Sequence, residues 1–189
     1  MAWTKIFALD GVGPIVFVKS RRARRIRVTV RASAGIRVTV PCRVSFDAAR
    51  RAAARRVGWM RKTLARIERA RRANPDLVRA AAELDVAAAR KSLARRLAVL
   101  AEANGYVFRR LFIRRQTTLW GSCSTADNIS LNLRLAALPP ELADYVMLHE
   151  LAHIRHRGHG PAFWTELGRS VPNARELQAR LRECGLAML

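Results

Sequence analysis

The chain has 189 residues, half of them apolar, which is enough for a real core and excludes a disordered chain. Lys and Arg number 36 against 14 Asp and Glu, a formal net charge of +22; such a balance points to a polyanion (nucleic acid, a ribosome or an acidic surface) or, more plainly, to a basic solvated exterior. Three scattered cysteines, Cys42, Cys123 and Cys184, exclude a disulfide framework, and no stretch reaches the about 18 apolar residues of a membrane helix, so a cytoplasmic protein with no membrane partner is expected.

The segment from Met1 to Lys19 carries Lys5 and Asp10 and no long apolar run, so no leader is expected; the twin Arg21-Arg22 is followed by charge. Ile15-Val16-Phe17-Val18, behind Gly13-Pro14, reads as a strand. Ile26-Arg27-Val28-Thr29-Val30 then recurs as Ile36-Arg37-Val38-Thr39-Val40 across the turn segment Arg31 to Gly35. Both copies alternate with period two, which predicts a hairpin with Ile and Val inward and Arg27 and Arg37 outward.

From Ser45 to about Ala73 the pattern is helical. Ser45 or Asp47 can cap it, and Val57, Met60, Leu64 and Ile67 form the apolar stripe among many arginines. Asn74-Pro75-Asp76 breaks the run. A second helix is predicted over Val86 to Ala103, with Leu93, Leu97, Val99 and Leu100 as its stripe and Asn104-Gly105 as its end. Tyr106 to Arg115 reads as a strand. Trp120-Gly121-Ser122-Cys123-Ser124 and Ile129 to Leu135, separated by a turn cluster, read as a second hairpin. Cys123 reads as a small buried residue rather than a ligand. Trp120 suits a cleft wall and ordinary core equally. The strand Ile129 to Leu135 could pair an extended substrate along its edge or be covered by its neighbours.

Pro139-Pro140 opens the next helix, with Glu141 and Asp144 at its start, Arg155 and Arg157 at its end, and Gly158 as the residue that stops it. On it lies His149-Glu150-Leu151-Ala152-His153, with His156 and His159 just behind; these are all the histidines of the chain. Two histidines four apart share one helix face and can converge on one Zn²⁺ at roughly 2.0–2.1 Å per bond. The glutamate between them can take a proton from a water on the metal. His156 shares their face, but its Cα lies about 10 Å along the axis from that of His149. His159, beyond the helix-stopping Gly158, can turn back, so it is the expected third ligand and His156 a supporting residue. Three protein ligands leave a position open for catalysis, with Glu150 as general base. Arg134, Tyr145 and His156 are candidates for stabilising an oxyanion. A short helix from Pro161 to Leu167, with Phe163 and Trp164, and a last one from Pro172 to Cys184, stopped by Gly185, complete the chain.

Trp120-Gly121-Ser122-Cys123-Ser124, Ile129-Ser130-Leu131-Asn132, the His149 to His153 motif, His159 and Phe163-Trp164 together resemble the YgjP-like metallopeptidases, which are related to the SprT-type zinc peptidases that act on DNA-bound proteins. The resemblance implies a zincin-like core with His149, His153 and His159 on zinc and Glu150 as catalytic base. YgjP-type members have also been labelled UTP pyrophosphatases.

An α+β protein is therefore expected, with a β-rich region at 1–46, a helical region at 47–105 and a metal-binding catalytic region at 106–189. The leading reading is a zinc peptidase acting on protein or peptide near nucleic acid. The alternatives are a metal-dependent nucleoside triphosphate (UTP) pyrophosphohydrolase and a basic nucleic-acid-binding protein with a non-catalytic zinc site.

Overall fold

A computed structural model describes residues 3–188; Met1, where the segment read for a leader begins, lies outside them. The chain is α+β and divides into two compact units, Met1–Ala73 and Asn74–Leu189. No described helix is long and apolar enough to cross a membrane.

The first unit is a four-stranded mixed sheet in the order β1-β2-β4-β3, formed by β1 (Thr4–Leu9), β2 (Gly13–Ser20), β3 (Arg27–Arg31) and β4 (Gly35–Pro41). The predicted hairpin is β3 and β4, antiparallel with Val28 opposite Val38 and Val30 opposite Ile36. Period two puts Ile36, Val38 and Val40 into the core and leaves Arg37 exposed. β4 also pairs in parallel with β2, a contact that local pattern cannot announce. β1 was not anticipated: its TKIFAL sequence is largely exposed and pairs only through β2.

The long helix expected over 45–73 is two helices, α1 (Phe46–Ala54) and α2 (Val57–Ala73). Ser45 caps α1 by accepting from the Ala48 N–H at 3.1 Å. Between them the Arg56 N–H turns tightly onto the Ala53 carbonyl, 2.8 Å, at a place where no Pro or Gly marks a break. Ala49, Ala53 and Met60 from these helices close the core over Ile15, Phe17, Ile36, Val38 and Val40.

In the second unit, Asn74-Pro75-Asp76, read as a break, also starts a helix, α3 (Pro75–Ala82), with Pro in its first turn. α4 (Val86–Ala103) has the predicted bounds; Asp85 caps it, and Gly105 ends it at φ +64. Its buried stripe is Leu93, Leu97 and Leu100, whereas Val99 is exposed, about 200° round the helix from Leu97. A three-stranded sheet follows, in the order β5-β7-β6, from β5 (Arg110–Arg114), β6 (Gly121–Cys123) and β7 (Asn128–Asn132). β6 and β7 are the second predicted hairpin, antiparallel, and β5 runs parallel to β7. β7 is thus the central strand, covered on both edges. It ends at Asn132 because that side chain caps a 3-10 turn, Leu133–Ala137, accepting from the Arg134 N–H.

α5 (Pro140–Arg155), α6 (Pro161–Ser170) and α7 (Ala174–Met188) complete the unit. α7 runs through Gly185, the expected stop, because Ala187 and Met188 beyond it are buried. Arg96 of α4 grips Asp144 of α5 with two hydrogen bonds, 2.8 and 2.6 Å. Nearly every residue of α5 between Leu142 and Ala152 is buried, so the metal-motif helix is the central element of this unit.

Candidate metal centre

His149 and His153 stand one turn apart on α5, with ring centroids 4.9 Å apart. The helix ends at Arg155, earlier than expected, with His156 extended at φ −131. Gly158 does not adopt the left-handed conformation that would have made it the stop. The chain turns back instead through residues 156–160, and both ends of that loop are held. The His153 Nδ1 meets the His156 carbonyl at 2.9 Å, and the Trp164 indole N–H donates to the His159 carbonyl at 3.0 Å. His159 is thereby brought over α5. Its Nε2 lies 3.0 Å from that of His149, and one ligand atom from each of His149, His153 and His159 lies within 4.8 Å of the others.

The donor set fits a borderline-soft divalent ion such as zinc. A carbonyl only accepts, so the contact with His156 fixes the proton on His153 Nδ1 and leaves the Nε2 lone pair free. Among the described residues His149 Nδ1 is buried without a hydrogen-bond partner, so its Nε2, facing His159, is the nitrogen aimed into the cluster. Burial, and then the neighbouring His153 and His159, bring His149 down to about 4. Burial, with smaller contributions from His159 and Arg157, also lowers His153 against the opposing His156 carbonyl. Neutral imidazoles are the form that binds metal.

Phe163 of α6 backs all three rings, stacked on His153 at 4.6 Å and edge-on to His149 and His159 at 4.9 and 4.8 Å. It is fully buried. A ring in that place fixes the imidazoles sterically and excludes water from one side of the cluster.

Glu150 is buried beside them. Burial pushes its carboxyl up to about 7, and a hydrogen bond from the Cys123 backbone N–H pulls the other way. Its side chain lies directly on the backbone of Gly121 in β6. A Cβ there would stand 2.6 Å from Glu150 Cγ and 2.8 Å from Oε1, distances that real Cβ contacts do not show. Gly121 is therefore required by close approach, and β6 forms the seat of the carboxylate. The sequence did not offer this role: Gly121 was legible only as part of a family motif, and nothing local connects it to a residue on another element.

Arg157 fastens the loop to the same hairpin. It donates to the Ser124 carbonyl at 2.6 Å and the Cys123 sulfur at 3.4 Å, and pairs with Asp127 in the β6–β7 turn. Cys123 is half-buried rather than buried, and its thiol stands outside the ligand cluster. Buried Glu166 ties together the segments behind the site: it accepts from Tyr106 at 2.9 Å and Arg169 at 3.0 Å and pairs with Arg155.

Tyr145 lies one turn before His149, buried, with ring centroids 5.8 Å apart. Trp120 is half-buried, and its indole nitrogen lies toward Gly185 of α7. Arg134 donates to the Gln116 carbonyl at 3.2 Å, and the contacts described for it do not reach the histidines. The imidazole of His156 is not in the cluster; its carbonyl is the part that serves.

No curated protein matches the chain. Among solved structures, the metallopeptidase zymogen abylysin of Pyrococcus abyssi is similar at 25% identity and a TM-score of 0.43, covering 47% of this chain and 90% of its own. The metallopeptidase zymogen jannalysin of Methanocaldococcus jannaschii is similar at 20% identity and a TM-score of 0.43, covering 48% and 94%. The YgjP-like metallopeptidase domain matches residues 71–184, more than half of the chain and nearly all of the second unit. The expected resemblance thus holds over the unit that carries the histidine cluster, and the chain belongs to the YgjP-like metallopeptidase family.

Proposed function

We propose that this chain is a zinc-dependent peptidase in which His149, His153 and His159 hold the ion, Glu150 is the general base, and the substrate is a polypeptide met near nucleic acid. The observation that carries the reading is a buried carboxylate, Glu150, between two histidines of one helix whose ring nitrogens converge with that of His159. Zinc bound there would polarise the scissile carbonyl and acidify a water. Glu150, poised near neutrality by burial, takes the proton from that attacking water and returns it to the leaving amine. The Cys123 N–H holds the carboxylate in place for both transfers, and Phe163 keeps solvent from one side.

β6 is an edge strand, and Gly121 on it touches Glu150. An extended peptide added along that edge would bring its carbonyls past the base by main-chain pairing. The excess of cations supports a nucleic-acid setting. The test is to incubate zinc-loaded wild type and Glu150→Gln with an unstructured basic polypeptide, with and without DNA, and separately with UTP. Cleavage of the polypeptide, stimulated by DNA and lowered by roughly 10²–10⁴-fold in Glu150→Gln, is expected. Cleavage that survives Glu150→Gln, or pyrophosphate release from UTP without peptide cleavage, would overturn the reading.

A further inference from the structure

The two units share the charge very unequally. Residues 1–73 carry 20 Lys and Arg against three acids, Asp10, Asp47 and Glu68, a net +17; residues 74–189 carry 16 against 11, a net +5. The first unit therefore carries seventeen more cations than carboxylates. The histidine cluster lies in the second unit.

On α2 part of this charge shares a helix face with one exposed aromatic ring. Met60 and Ile67 are buried and Leu64 is partly buried against the sheet. At 100° per residue these three fall within an arc of about 60°, and Trp59, Lys62, Arg66 and Arg69 fall together on another face. All four are exposed, Trp59 by 48%. Arg55 and Arg56 stand exposed in the turn just before the helix. Glu68, the acid of this helix, lies off that face and is paired with Arg72. An exposed indole costs free energy unless something covers it, and here it shares its helix face with Lys62, Arg66 and Arg69 and with no acid of α2.

We infer that this face of α2 is a binding site for single-stranded nucleic acid, with phosphates on Lys62, Arg66, Arg69 and the Arg55-Arg56 turn and an unpaired base stacked on Trp59. The inference rests on the nucleic-acid part of the reading above and not on the peptidase part. A base has a flat π-face that an indole can stack on whatever its identity, and cations along a groove or helix face follow the backbone. Duplex DNA keeps its bases stacked internally and would use the cations alone. A membrane surface fits less well: the apolar side of α2 is already committed to the unit's own core, so little remains to insert into a bilayer.

The experiment measures binding of the full chain, stripped of metal, to a single-stranded oligothymidylate, to a duplex of equal length and to phosphatidylserine vesicles. The single strand is expected to bind most tightly. Trp59→Ala should weaken it about tenfold or more while leaving duplex affinity nearly unchanged, and Trp59→Phe should restore most of the loss. The triple variant Lys62→Ala, Arg66→Ala, Arg69→Ala should weaken single-strand binding and reduce its salt dependence by about two in slope. It keeps the proposal testable if Trp59→Ala fails to fold. Single-strand affinity unchanged in either variant would overturn this site while leaving a nucleic-acid association standing. Tighter binding to vesicles than to either DNA would overturn it in favour of a lipid surface. No binding to either DNA would end both.

Discussion

Gly121→Ala is the substitution that most sharply separates the seat of Glu150 from the proposed metal ligands. The added Cβ would stand 2.6 Å from Glu150 Cγ, 2.8 Å from Oε1 and 3.0 Å from Cδ. Ordinary van der Waals separations are about 3.5–4.0 Å, so the carboxylate has to retreat by about 1 Å, out of its bond with the Cys123 N–H. A catalytic group misplaced by about 1 Å loses on the order of 100-fold in rate, or about 2.7 kcal/mol of transition-state stabilisation. The three atoms nearest that Cβ all belong to Glu150 and none to a histidine, so metal affinity should stay within about threefold. The assay is kcat/KM on a peptide substrate with zinc-loaded protein, beside a competition titration for the metal. A second readout is stability. Forcing a methyl into this contact should cost about 1–3 kcal/mol, and the cost should largely vanish in a Glu150→Ala background, where the clashing atoms are gone. Wild-type activity in Gly121→Ala, or parallel loss of activity and metal, would refute the reasoning; so would an unchanged stability cost when Glu150 is removed.

In metal-free protein, Glu150 is raised by burial from 4.5 to about 7. The folded state then holds more protons than the unfolded state between those values, so stability is greatest below pH 4.5 and falls as pH rises through 7. Metal-free Glu150→Gln should therefore match wild type at pH 4 and exceed it at pH 8 by up to about 3 kcal/mol in urea denaturation; equal stability at pH 8 would contradict the burial argument. Glu166 behaves oppositely: the Tyr106 hydrogen bond, then those from the arginines, hold its carboxyl below the usual range. Its contribution is present above pH 4.5 and lost as pH falls further. Glu166→Gln should destabilise the fold at pH 7, with the difference shrinking in acid; a pH-independent difference would show that the charge is not what matters.

The elements that were legible in the sequence are those whose pattern is local. Residues 26–40 announce a hairpin because Ile and Val recur with period two across a glycine turn, and β3 and β4 follow. α4 begins at an Asp cap and ends at Asn104-Gly105, both readable chemistry. The spacing of His149, His153 and His159 led to the three rings that stand together. What escaped depends on partners far off in sequence. β1 is a strand because β2 is beside it. Asn74-Pro75-Asp76 is both the stop of one helix and the start of the next, and sequence signals for the two overlap. The break at Arg55-Arg56 has no breaker residue. Gly121 and Glu150 meet across the fold, and a glycine required by another residue's side chain looks like any other glycine.

The proposed metal site is formed by three particular histidines, His149, His153 and His159. It is tested most directly by counting zinc bound per chain, after dialysis, in wild type and in His149→Ala, His153→Ala, His159→Ala and His156→Ala. One equivalent in wild type, close to none in the first three variants and one in His156→Ala is the predicted result, because His156 contributes through its backbone carbonyl. Full retention in His159→Ala, or loss in His156→Ala equal to that in His149→Ala, would contradict it.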